Sequence, residues 1–161
     1  MKMLQLEISR HKWDRLMCGC LSTAEHIPRD FLESLEGPAT PRPGAGWADN
    51  HAYVQSNLMQ PAIATASIVM AALADGAPLR HRRNLMAVLL SLANGEQDDI
   101  ADKCLNVIRG GTWILYEEVA SGRSIDAAAY AFEVLQLMDE ESDRLAVFQA
   151  SFSENLPQYL R

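Results

Sequence analysis

The chain has 161 residues, of which 48% are hydrophobic, 22% charged and only 7% aromatic, a globular composition long enough to bury a core. Its net charge of −7 disfavours nucleic acid as a partner, because phosphate binding needs a positive surface. The longest apolar stretch, Ile63 to Leu73, is too short to span a bilayer.

The N-terminus, "MKMLQLEISRHKWDR", lacks the apolar core and small-residue cleavage site of a signal peptide, so a cytoplasmic protein is expected. A first helix is expected over residues 9–18, with Trp13, Leu16 and Met17 on one face. A second opens near Pro28, where a missing N–H costs least, and carries Phe31, Leu32 and Leu35 up to Gly37. The segment "GPATPRPGAG", residues 37–46, holds three prolines and three glycines and reads as a loop, either disordered or a lid. Asp49 or Asn50 is then placed to cap a short helix bearing Tyr53, Val54 and Leu58.

From Pro61 onward, Ala-rich helical segments follow one another, separated by Gly, Pro and Asp stops. The first, with Ile63, Ile68, Val69, Met70 and Leu73, is apolar all round and is expected at the centre of the protein. The next begins at Pro78, bears Leu85, Val88, Leu89 and Leu92 at helical spacing, and stops at Asn94-Gly95. A third long segment from Asp98 to about Ser121 is interrupted at Gly110-Gly111, which marks a break or a close crossing by another backbone. Gly122 stops it and Ser124 caps a helix with Ile125, Ala128, Ala129, Phe132 and Leu135 in one stripe. A last helix runs from Asp139 or Ser142 through Phe152 to the stop at Pro157. Short breaks between such segments predict antiparallel hairpins, seven or eight helices in all, and an all-α protein.

The segments "NHAYVQSNLMQPAIATASIVMAALADGAPLRHRRNLMAVLLSLANG" and "CLNVIRGGTWILYEEVASGRSIDAAAYAFEVLQLMDE" resemble two successive helix pairs of divergent bacterial HEAT-like (armadillo-type) repeats. In those repeats an Ala-rich helix ending in Leu-Ala-Asp precedes an Arg- and Leu-rich one. The resemblance covers residues 50–141 and departs from the pattern at Asp126, where repeats carry Arg before the Ala cluster. It implies a short right-handed α-solenoid over residues 48–156, preceded by a helical cap (1–36) and the Pro/Gly loop (37–47), all in one domain.

No segment carries a strong catalytic motif. "DDIAD", residues 98–102, matches the DDxxD form with which all-α prenyl and terpene synthases hold Mg²⁺. It equally spells an acidic first helical turn, and no second Asp-rich motif faces it. The glycine-rich and Gly-x-Ser-x-Gly signatures of nucleotide-binding folds and hydrolases are missing. Cys18 and Cys20 form a Cys-x-Cys pair without further ligands near in sequence. Cys104 makes the count odd, and His11, His26, His51 and His81 are scattered. Reduced thiols with no metal or other cofactor are therefore expected, with a Cys18–His nucleophile pair left open because spatial neighbours are invisible. The basic run Arg80 to Arg83 is expected to pair with acidic groups of the next repeat or of a partner.

Charge is distributed unevenly: from Glu96 onward there are 13 acidic residues against 5 basic ones. These features lead to a non-enzymatic, protein-binding helical module that attracts a basic partner. Its most concrete form is a bacterial immunity protein of the HEAT-like kind, which neutralises a cognate toxin by occluding it. The expected partner-binding residues are Glu96, Asp98, Asp99, Asp102, Glu117 and Glu118, with Trp47 and Tyr53 beside the Pro/Gly loop as either aromatic anchors or core residues packed against the central helix. A negative strip is expected where residues 96–102 and 139–143 begin helices on one edge. Two alternatives stay open: a small Mg²⁺-dependent enzyme using Asp98 to Asp102, and a structural adaptor or self-associating subunit.

Overall fold

The computed structural model describes residues 1–161 and is all-α apart from one two-residue β-hairpin. Eight helices follow in chain order: α1 (Lys2–Arg10), α2 (His26–Glu36), α3 (Ala62–Ala74), α4 (Leu79–Ala93), α5 (Asp98–Arg109), α6 (Thr112–Ser121), α7 (Ile125–Gln136) and α8 (Ser142–Phe152). Strands β1 (Tyr53–Val54) and β2 (Asn57–Leu58) pair antiparallel between α2 and α3.

The apolar cylinder predicted after Pro61 is the central helix. Ten of the thirteen α3 residues are buried, because α3 is covered by α1, α4 and α5 at once. α3 and α4 pack as one helical hairpin and α6 and α7 as another, with α7 laid on α4 and α5 on α3. This is the stacking expected of successive helix pairs, and one contiguous core runs from Leu4 to Leu156. Between α5 and α6 the helix breaks at Gly110-Gly111, as their low helix propensity predicts. The Met70 methyl, not a crossing backbone, occupies the space a side chain at Gly111 would fill. Gly122 ends α6 in the left-handed conformation (φ 62°), and the Ser124 hydroxyl caps α7 by accepting from the Ala127 N–H at 3.2 Å.

The N-terminal third differs from its sequence reading in three places. The first helix lies earlier, at Lys2–Arg10, and residues 13–15 form only a 3₁₀ turn. Leu4 is the only buried residue of α1, and its N–H is held by the Asp75 carboxylate at the end of α3. The helix expected to carry Tyr53 and Leu58 is instead the β1–β2 hairpin. Gln55, at φ 58°, makes the reversal, and the Gln97 carboxamide accepts from the Leu58 N–H. The Pro/Gly segment is a loop that packs on the core at buried Gly44 (φ 71°), where the chain turns so tightly that a side chain would collide with Tyr53, Ala48 and Val88.

The basic run in α4 pairs within the chain, largely with the next helix pair. Arg82 is buried against Glu118 of α6, Arg83 lies 3.7 Å from Asp126 of α7, and Arg80 donates to the carbonyls of Leu35 and Gly37 at the end of α2. No helix is long and apolar enough to cross a membrane.

Candidate functional site

The densest group of chemically active side chains forms where the segment between α1 and α2 meets the turn before β1. Residues 17–23 make a closed loop: Met17 and Thr23 bridge, the Cys18 N–H donates to the Ser22 carbonyl at 2.8 Å, and Leu21 sits at φ 67°. This knuckle turns Cys18 inward and leaves Cys20 at the surface. His26 then opens α2, and Asp30, one helical turn later, takes its Nδ1 at 2.9 Å. From the other side comes His51, in a turn where Asn50 is held at φ 65°.

Gly19 is the hinge of this approach. Its N–H donates to the His51 carbonyl at 2.9 Å, and a Cβ there would stand 2.8 Å from the Asn50 carbonyl oxygen and 2.9 Å from Val54. With no side chain between the two segments, the donors converge. The Cys18 Sγ lies 3.4 Å from His26 Nε2 and 3.2 Å from His51 Nδ1, and the Cys20 Sγ lies 3.5 Å from His26 Nε2. All four ligand atoms lie within 4.8 Å of one another. The two imidazoles meet edge to face, with centroids 4.6 Å apart.

The two thiols share this space unequally. Burial pushes Cys18 up to about 11. Hydrogen bonding to the Ser22 hydroxyl and to Cys18 pulls exposed Cys20 down to about 5. Burial opposes ionisation of Asp30, but the hydrogen bonds from His26 and Arg29 outweigh it and hold the carboxyl below its ordinary range. His26 and His51 thus stand beside a Cys-x-Cys pair that had no further ligands near it in sequence, and the fold gathers two of the four scattered histidines at one place. One local signal was legible: His26 and Asp30 are spaced i, i+4 on a helix.

The residues expected to bind a partner are scattered over the molecule. Trp47 is buried against Phe31, with ring centroids 4.4 Å apart, and Tyr53 is buried beside Gly44. Burial, then the nearby Asp49 carboxylate, pushes the Tyr53 phenol up to about 12. Both rings are core residues, the second of the two readings open to them, and their assignment as surface anchors is corrected. Glu118 is fully buried in its pairing with Arg82, so it too cannot meet a partner. Glu117 is exposed but engaged by Arg123 at 2.7 Å, and Glu96 accepts from the Ser56 hydroxyl. Asp98, Asp99 and Asp102 are exposed at the start of α5, with Asp99 3.9 Å from Lys103.

The single negative strip does not form either. Glu140 pairs with Arg109 at the far end of α5, roughly 16 Å along the axis from Asp98 at the helical rise per residue. What stands at that far end is an aromatic ladder that sequence reading passed over. Trp113, Tyr116, Phe148 and Phe152 follow one another at centroid distances of 5.5, 4.7 and 4.5 Å, and the ladder ends in a Trp113 ring that is 70% exposed. Arg144 lies over that ring, 5.2 Å from its centroid, and is held by Glu141 at 2.8 Å. Comparison of the chain with protein-family models, curated proteins and solved structures found no match to any of them.

Proposed function

We propose that the protein acts by binding another protein, using the α6–α8 end of the helical stack. The observation that carries this reading is Trp113, a large aromatic side chain left 70% exposed while the residues behind it are packed. Trp, Tyr and Arg dominate interface hot spots, and here Trp113 and Arg144 are already ordered against one another, which lowers the entropy cost of docking. Exposed Val147 on α8 adds apolar area, and Asp139 and Asp143 nearby in the chain make no ion pair, which favours a partner with basic residues.

The resemblance of residues 50–141 to HEAT-like repeats supports the more specific form of the proposal, a bacterial immunity protein that occludes a basic toxin. Asp98, Asp99 and Asp102 would then act at a distance, raising the encounter rate more than the final affinity.

The test is capture of partners from lysate of the native cell at low and high salt, followed by binding measurements with the purified partner. One stoichiometric basic protein is expected. Trp113→Ala should weaken it by about thirtyfold or more, the scale of a hot-spot loss of about 2 kcal/mol. Reversing Asp98, Asp99 and Asp102 together should slow association and flatten its salt dependence. A partner that binds Trp113→Ala at full strength would place the interface elsewhere.

A further inference from the structure

We infer that Cys18, Cys20, His26 and His51 form a four-ligand site for a zinc ion, which fastens the α1–α2 segment to the turn before the β-hairpin. The inference is independent of the partner-binding proposal and goes beyond it.

Four observations carry it. The first is donor type and number: two thiolates and two imidazoles make the Cys₂His₂ set of a closed structural zinc site. The second is spacing. Zinc–sulfur bonds of about 2.3 Å and zinc–nitrogen bonds of about 2.0 Å at a tetrahedral angle place sulfur and nitrogen about 3.5 Å apart. Three of the four sulfur–nitrogen separations, 3.2, 3.4 and 3.5 Å, lie close to that edge, and the fourth is within 4.8 Å.

The third is the shell around the donors. Asp30 holds Nδ1 of His26 and so turns Nε2 toward the sulfurs, the carboxylate–histidine arrangement that orients and strengthens a ligating imidazole. The Cys20 N–H points at the Cys18 sulfur at 3.5 Å, a contact that suits a thiolate. The fourth is backbone conformation. Leu21 and Asn50, two of the three non-glycine residues with positive φ, flank the cluster on its two segments. Such a conformation is costly for Leu21, whereas Asn adopts it readily through its short polar side chain. Here the two turns are what bring the knuckle and His51 together.

A cysteine nucleophile fits the same residues less well. Cys18, the sulfur that meets both imidazoles, is 2% exposed, so that of the two thiols Cys20 alone is placed to reach a substrate. A thiol–imidazole pair also leaves the second thiol and second imidazole unexplained. Four protein ligands fill the tetrahedron and leave no position for water or substrate, so the ion's role is structural. It would close a chain segment of more than thirty residues between Cys18 and His51, whose large buried side chains are Ile27, Phe31, Leu35 and Trp47.

The experiment is metal analysis of the full-length protein purified under reductant, followed by Co²⁺ titration and Zn²⁺ displacement. One zinc per chain is expected. Co²⁺ should give the intense visible absorption of a tetrahedral ion with a thiolate charge-transfer band, both erased by one equivalent of Zn²⁺. Because Cys18 is buried, the main variant is Cys20→Ser, at the surface, checked for unchanged helicity by circular dichroism. It should weaken Co²⁺ binding by more than about 100-fold, beyond the usual effect of losing an outer-shell partner. Zinc should also protect Cys20 from alkylation and a chelator should restore its reactivity. A folded wild-type chain that takes up no stoichiometric zinc or cobalt would overturn the inference. So would a Cys20→Ser variant with the wild-type cobalt spectrum and affinity.

Discussion

Arg82 of α4 and Glu118 of α6 meet as an ion pair with almost no access to solvent: Arg82 is 6% exposed and Glu118 not at all. Arg123 reaches the same Glu118 oxygen at 3.4 Å, and Arg82 lies 3.7 Å from Glu117. The pair therefore bridges the first helical hairpin to the second at the centre of a four-residue charge network. Removing Arg82 would leave fully buried Glu118 only the more distant, partly exposed Arg123, and breaking a buried pair of this kind costs about 3–5 kcal/mol. Arg82→Met should lower the unfolding free energy by that amount in urea. The double variant Arg82→Met with Glu118→Leu should recover most of it. Equal destabilisation in single and double variants would show that packing, not the stranded charge, is what α4 supplies here.

Asp30 touches none of the other proposed zinc ligands and acts through His26 alone. Asp30→Asn keeps the shape but removes the charge that favours the required imidazole orientation. Zinc affinity measured by competition with a chromophoric chelator should fall by about 10–100-fold, with the Co²⁺ spectrum unchanged in form. A changed spectrum would mean that Asp30 is itself a ligand.

Gly19 separates Cys18 and Cys20 and lies against the backbone of Asn50. In Gly19→Ala the new methyl would meet a carbonyl oxygen at 2.8 Å, and backbone cannot yield as a flexible side-chain end can. Overpacking of this kind costs about 1–3 kcal/mol, and a lowered Tm should be accompanied by weaker metal binding. Gly46→Ala is a useful contrast, because a side chain there meets nothing within 4 Å. At φ 86° it should report conformational strain alone, without effect on the metal.

His81 is buried, with an unpartnered Nε2, and desolvation followed by the neighbouring Arg80 charge lowers its pKa below 6.5. Burial likewise lowers His11, against the opposing pull of Glu7. The folded state therefore binds fewer protons than the unfolded state in this window. Stability is full above pH 6.5 and declines as the pH falls from 6.5 toward the folded-state pKa values. Thermal unfolding between pH 7.5 and 5.5 should show a falling Tm in the wild type. His81→Gln should show a shallower fall, and any loss of a metal ion is common to both proteins. Parallel slopes would exclude His81 as a source of the pH dependence.

The helices from Pro61 onward were legible in the sequence because their signals are local. Apolar residues recur at helical spacing, Gly122 stops a helix without steric cost, and Ser124 supplies a cap to its own backbone three residues on. The all-round apolar α3 even announced its central position. The β-hairpin was not legible. Tyr53, Val54 and Leu58 are compatible with either conformation, and the Gln97 side chain that holds β2 comes from 39 residues away.

The same division runs through the two candidate sites. Composition and charge led to a binding module and named its acidic residues, but burial depends on which faces meet. Only the tertiary structure placed Glu118, Trp47 and Tyr53 inside and left Trp113 outside. Cys18 and Cys20 were visible as a pair at once, whereas His51 is more than thirty residues away in the chain and 3.2 Å away in space. Periodicity records what each residue does for its own helix. Convergence of a thiol, a second thiol and two imidazoles is a property of the packing between segments, and that is settled only when the chain has folded.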